Sequence, residues 1–159
     1  MMSRRSMGVR RQRGFTLIEV MIAILVLGVG LLGFALLQTM NVRFTKSAQQ
    51  RTVATSLAYE VIDMMRIQRS DSGLGAYNQI TYDSFGAVTP GTCSRPAAAT
   101  AAANITRWKC EVRTALPDGP AEVVLSADGN VTVNVRWGDA HWSEDAGDVN
   151  TTFTLVSRL

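Results

Sequence analysis

The chain has 159 residues, a formal net charge of +3, 47% hydrophobic residues, two cysteines and one histidine. That length allows one domain plus an anchor. A lone histidine, with no G-x-S-x-G pattern and no Cys/His pair, gives nucleophilic catalysis no basis, so an enzyme is not expected and no cofactor is implied. The basic balance is local. Five of the 16 Lys and Arg residues (Arg4, Arg5, Arg10, Arg11 and Arg13) precede Gly14, leaving 11 basic against 13 acidic residues and a net charge of about −2 beyond it.

Residues 10–37 read RRQRGFTLIEVMIAILVLGVGLLGFALL. Within this stretch Glu19 is the single acid, and residues 20–37 carry no charge. Residues 15–37 would form a helix of roughly 35 Å at about 1.5 Å per residue, enough to cross a bilayer core of about 30 Å. A cleaved secretory signal has a shorter apolar core, of about 7–15 residues, and a small-residue cleavage site. A plain signal anchor leaves Glu19 unexplained, because an acid in a spanning helix costs a few kcal/mol and by default marks function. The five arginines before the span place that end in the cytoplasm under the positive-inside rule.

Gly14-Phe15-Thr16-Leu17-Ile18-Glu19-Val20 resembles the signature of the type IV pilins and pseudopilins, where it follows a short basic leader and precedes an apolar helix. The resemblance implies an α+β, pilin-like fold: a long N-terminal helix, apolar in its first half and amphipathic in its second, packed on a small antiparallel sheet. It implies removal of residues 1–14 by a prepilin peptidase cutting between Gly14 and Phe15, with N-methylation of Phe15. Glu19 then corresponds to the assembly acid that meets the N-terminal amine of a neighbouring subunit. A buried carboxylate is tolerable only when paired, and cleavage creates a cationic amine that methylation leaves charged.

Gly28-Val29-Gly30-Leu31-Leu32-Gly33 matches G-x-G-x-x-G, but without a preceding strand or a soluble βαβ unit it does not read as dinucleotide binding. Small residues in a spanning helix more often permit close helix approach. Residues 38–69 hold no Gly or Pro, and Ala54, Leu57, Ala58, Val61, Ile62 and Met65 recur at helical spacing, so they are expected to continue the first helix with one buried face. Residues 70–75, SDSGLG, are expected to end it. Residues 70–159 are expected to form a β-sheet domain: weak strand content at 80–82, an alanine-rich turn or connection at 97–103, a strand or short helix at 108–113, and a break at 116–120. The clearest signal is a hairpin, with 122–126 as one strand, a turn at 127–130, and Val131, Val133, Val135 and Trp137 alternating with polar residues. Phe153 and Leu155 between threonines suggest a last strand.

Cys93 and Cys110, 17 apart, fall on the side assigned to the periplasm, where disulfides persist, and are expected to be bridged. Their spacing matches no zinc pattern. His141, among Asp139, Glu144, Asp145 and Asp148, lacks the ordered spacing of a calcium loop and reads as a solvated loop. No metal site is expected. Within the superfamily, residues 54–66, with A-x-x-L-A-x-x-x-x-D-x-M-R, resemble the helix of the PilV type of minor pilin, as do Trp108, the turn at 116–119 and the strand at 131–137. That resemblance implies incorporation at or near a pilus tip, priming of assembly, and twitching motility or adhesion downstream. The partners implied are the prepilin peptidase, other minor pilins and the major pilin, the inner-membrane assembly machinery and membrane lipid. The implied location is a single-pass inner-membrane protein with a periplasmic C-terminal domain. A minor pseudopilin of a type II secretion system is the alternative. A membrane-tethered periplasmic binding domain is the alternative of another class, and the few basic residues after the helix (Arg95, Arg107, Lys109, Arg113, Arg136 and Arg158) give nucleic-acid binding little support.

Overall fold

A computed structural model describes residues 14–116, 118–138 and 150–159. It contains helix α1 (Leu17–Ile67), α2 (Asp71–Tyr77), a 3-10 turn (Tyr82–Phe85), α3 (Ala101–Ala115) and strands β1 (Ala121–Leu125), β2 (Asn130–Gly138) and β3 (Asn150–Arg158). The fold is α+β and pilin-like: one long N-terminal helix and a small antiparallel three-stranded sheet. The chain divides into two units, one ending at Arg43 and the other Phe44–Leu159.

In the first unit α1 runs without a break, and every residue from 14 to 43 is exposed. It is the one helix among the described residues long and apolar enough to cross a membrane.

In the second unit the rest of α1 buries Ala54, Leu57, Ala58, Val61, Ile62 and Met65, one helical stripe. They join Tyr77, Ile80, Phe85, Trp108, Val112 and Leu116 in a single core with the inner face of the sheet. The sheet order is β1-β2-β3, antiparallel throughout. Registers align Val123 with Val133 and Val133 with Leu155, so alternate residues of all three strands face the core. Every second residue of β2 is buried, from Val131 to Trp137, as period-2 alternation requires. The hairpin turn sits one residue earlier than its sequence suggests. Ser126 O accepts from Gly129 N at 3.0 Å, and Gly129 has φ +81°, a left-handed position that glycine adopts at no steric cost. The outer edge of β1 is occupied: Val123 N donates to Ile80 O at 2.9 Å and Leu125 N to Asn78 Oδ1 at 2.8 Å.

Three local expectations are corrected. Residues 70–75 do not simply end α1. Ser70 caps a new helix, α2, its hydroxyl accepting from Gly73 N at 3.2 Å. A Cβ on Gly73 would lie 2.8 Å from Gln68 O and 2.9 Å from Ser70 Oγ, so this glycine permits the tight corner rather than breaking a helix. Residues 80–82 form no strand; Ile80 lends its carbonyl to β1 and the chain turns into the 3-10 segment. Residues 97–103 and 108–113 are not separate pieces. Thr100 caps Ala103 N at 3.3 Å and opens the continuous helix α3, which buries Trp108 and Val112. The domain is therefore a sheet covered by two long helices. The acidic segment with His141 lies outside the described residues.

Between α1 and α3, Trp108 Nε1 donates to Leu57 O at 2.9 Å, deep in the core. Three residues further along both helices, Glu60 meets Glu111. Burial, the Glu111 charge and a hydrogen bond between the two side chains push the Glu60 carboxyl from 4.5 to about 7, while Arg107 pulls it down. The folded state thus holds this proton after the unfolded chain has released it. Stability on this account is fully present below about pH 4.5 and is lost as pH rises through about 7. Glu60 is solvent-accessible, so screening trims the effect. The melting temperature of the full chain should fall between about pH 5 and pH 8, and Glu60→Gln should flatten that slope; parallel profiles would remove the shared proton from the account. Ile62→Ala, at a fully buried position, should cost about 2–5 kcal/mol in denaturant unfolding, whereas Tyr59→Ala on the exposed face of the same helix should cost far less.

Candidate functional site

The N-terminal signature lies at the start of α1. Thr16 is the capping residue: its carbonyl accepts from Glu19 N at 3.1 Å and Val20 N at 3.3 Å, and its hydroxyl accepts from Glu19 N at 3.3 Å. Thr16-Leu17-Ile18-Glu19 is thus the first half of a capping box, a cap threonine with an acid three residues on. Sequence reasoning passed over Thr16, although T-x-x-E before an apolar run was the available signal. The local geometry gives Glu19 a modest structural reason to exist, since an acid in the first helical turn is worth about 0.3–1 kcal/mol against the helix dipole. Insertion scales give about 2.5–3.5 kcal/mol for an acid at the centre of a spanning helix, and an acid inside an apolar run is by default read as functional.

Phe15 and Glu19 line one shallow groove with Val20, Ala23, Ile24 and Leu27, a volume of about 430 Å³. These are successive turns of one helix face. The groove is apolar apart from the Glu19 carboxylate, and Phe15 is 83% exposed. Gly14, before the helix, is exposed and faces open space. A Cβ added at Gly28, Gly30 or Gly33 would meet nothing within 4 Å, so no contact inside the chain requires these glycines. They leave notches on an exposed helix, the form that lets a second helix approach closely. The arrangement offers one carboxylate beside an apolar groove, suited to a cationic group carried by an apolar helix.

The structure places Cys93 and Cys110 far along the chain from this groove, in the second unit. They form a disulfide with Cα atoms 5.6 Å apart. Cys110 is buried on α3, while Cys93 belongs to the connection between the 3-10 turn and α3. That connection is fastened to α3 at three successive levels. Arg113 Nε donates to Val88 O at 3.1 Å, the disulfide holds Cys93, and Arg107 Nη1 donates to Pro96 O at 2.9 Å. Gln68 Nε2 adds a bond to Ala99 O at 3.0 Å, and Tyr77 donates its hydroxyl to Gln68 Oε1 at 2.7 Å. Among the described residues no three His, Cys, Asp or Glu side chains converge as metal ligands.

Residues 9–35 match the prokaryotic N-terminal methylation motif, the prepilin-type signal. No curated protein and no solved structure matches the chain. The motif supports a place among the type IV pilins and pseudopilins, structural proteins processed by a prepilin peptidase that assemble with other pilus components. It also fits a single-pass inner-membrane anchor formed by the apolar part of α1.

The disulfide closes a loop of 17 residues. Replacing both cysteines by serine should lower the unfolding free energy by about 3 kcal/mol in the chain-entropy model, and thiol labelling of the denatured wild-type chain should require prior reduction. Labelling without reduction would show that the thiols are free.

Proposed function

We propose that this chain is a minor type IV pilin, of the PilV type, that acts in priming pilus assembly and takes a place at or near the filament tip. The observation that carries this reading is the G-F-T-L-I-E-V signature at the head of a 51-residue helix whose first unit is exposed throughout. Residues 1–14 are the leader, cut between Gly14 and Phe15 on the cytoplasmic side. The new amine of Phe15 is methylated and keeps its positive charge. Residues 15–37 hold the subunit in the inner membrane and then serve as its packing surface in the filament. Residues 38–69 continue as the amphipathic half of the helix, and residues 70–159 complete the periplasmic domain.

Glu19 is the assembly residue. Its carboxylate is stranded in lipid until a neighbouring subunit brings a cationic amine, so the pairing is worth most where water is absent. Leaving one partner of such a pair buried alone costs about 3–5 kcal/mol, which favours the assembled state over a single subunit in the bilayer. The groove of Phe15, Glu19, Ala23 and Leu27 supplies the apolar surroundings. The partners of this reading are the prepilin peptidase, other minor pilins, the major pilin and the inner-membrane assembly machinery; twitching motility or adhesion follows downstream. The same motif serves a minor pseudopilin of a type II secretion system, and co-purification with pilins or with secretion pseudopilins separates the two.

Intact mass of the membrane-bound protein, expressed with and without a prepilin peptidase, tests the class. Loss of residues 1–14 plus one methyl group, only when the peptidase is present, is the expected result. Glu19→Ala should leave that cleavage in place and abolish incorporation into filaments. An uncut chain that remains functional, or an active Glu19→Ala variant, would replace this reading with a membrane-tethered periplasmic domain.

A further inference from the structure

The fold treats the two edges of its sheet differently. Along β1 the outward groups have partners, Val123 N on Ile80 O and Leu125 N on Asn78 Oδ1. Beyond β3 no strand lies among the described residues. β3 is 9 residues long and pairs with β2 in an unbroken register, from Asn150 on Gly138 to Arg158 on Asn130. It holds no proline, lysine or bulge, the devices that commonly blunt an edge. Threonine, valine and phenylalanine make up more than half of it, and these residues favour extended chain.

The register shows which groups this edge presents. Leu159 N donates to Gly129 O at 3.1 Å, next to the Asn130–Arg158 pair, while Arg136 N turns the other way, to Pro120 O at 2.9 Å. Antiparallel pairs alternate between hydrogen-bonded and non-hydrogen-bonded positions. Odd-numbered residues of β2 therefore bond to odd-numbered residues of β3, and the N–H and C=O groups of Thr152, Thr154 and Val156 point away from the sheet. On the outer face Thr154 Oγ1 donates to Asn134 Oδ1 at 2.8 Å and Asn134 Nδ2 to Glu122 Oε2 at 3.3 Å, a polar row that runs to the edge. On the inner face Phe153 and Leu155 are only partly buried against the core. Arg158 is the one charged side chain of β3, and among the described residues no carboxylate pairs with it, whereas Arg66, bonded to Ser157 Oγ, has Asp63 at 3.0 Å.

We propose that β3 accepts an extended strand of another protein, apolar beside Phe153 and Leu155, hydroxyl- or amide-bearing beside Thr154, and acidic opposite Arg158. In strand addition the main-chain bonds supply affinity and alternate side chains supply specificity. Charge complementarity selects the occupant. A second copy of this chain has no acid in its own β3 to offer. Paired in parallel it sets Arg158 beside Arg158, and like charges directly opposite are destabilising. Paired antiparallel about Thr154 it sets the neutral Asn150 against Arg158. The site lies wholly within the unit Phe44–Leu159 and does not depend on how the first part of α1 is anchored.

The test uses the full chain in detergent micelles and a synthetic peptide of alternating valine and threonine with glutamate at both ends. Its counterpart carries lysine at both ends. Amide hydrogen exchange is read residue by residue by NMR. The glutamate peptide should slow exchange at Thr152, Thr154 and Val156 and leave Phe153 and Leu155, already bonded to β2, as they were. It should bind up to about fivefold more tightly than the lysine peptide, and Arg158→Glu should reverse that order. Thr154→Pro removes an outward donor and no bond to β2, a place where an edge strand tolerates proline. It should abolish the slowing while Phe153 and Leu155 stay protected, which separates loss of the site from loss of the fold. No slowing with either peptide, or the same ranking in Arg158→Glu, would overturn the proposal. So would outward amides already protected in the free monomer, a sign that the chain covers its own edge. Protection that grows with protein concentration in the absence of peptide would replace the proposed partner with a second copy.

Discussion

The second unit depends on one buried stripe of α1. A three-stranded sheet with a single apolar face is not stable while that face meets water. The inner face, built from Ala121, Val123, Val131, Val133, Val135 and Trp137, is closed by Ala54, Leu57, Ala58, Val61, Ile62 and Met65 together with α3. Two alanines within this stripe bury fully and keep the helix backbone close to its neighbours. Trp108 ties the two helices together, its buried indole N–H donating to the carbonyl of Leu57. The order of the rest follows: the sheet needs the helices, and α3 needs α1 before Trp108 has a partner.

The same helix carries the opposite property in the first unit. From residue 14 to 43 nothing is buried, although most of these side chains are apolar. A large exposed apolar surface marks a membrane or protein interface, and here length, the prepilin-type motif and the stranded acid all point to the same pair of environments. Lipid accommodates the apolar residues but penalises Glu19. A filament of like helices accommodates both, given a cation. On the reading proposed above, most of the span holds the subunit in the bilayer and one residue, Glu19, favours its leaving.

The connection of residues 86–100 shows another kind of dependence. It is largely exposed and makes few apolar contacts, yet it is held against α3 by Arg113, the Cys93–Cys110 disulfide and Arg107. Covalent and charge-assisted bonds hold a segment too polar to be held by burial.

The sequence by itself determined the elements whose signal is periodic. The apolar run, the 54–65 stripe and the alternation of Val131, Val133, Val135 and Trp137 each state a face or a span, because side-chain geometry repeats every 3.6 or 2 residues whatever the surroundings. The N-terminal signature was equally legible, being local in sequence and in space. Tertiary structure decided what periodicity leaves open. Ser70-Asp71-Ser72-Gly73 has the composition of a turn, and whether its serine ends one helix or caps another depends on the Gln68 carbonyl and the Ser70 hydroxyl, which only a glycine can approach. Residues 101–115 carry alanine and polar residues enough to look irregular; Thr100 and the burial of Trp108 against Leu57 made them one helix. The meeting of Glu60 with Glu111 was invisible in sequence, because 51 residues separate two carboxylates that only the packing of α1 on α3 brings together.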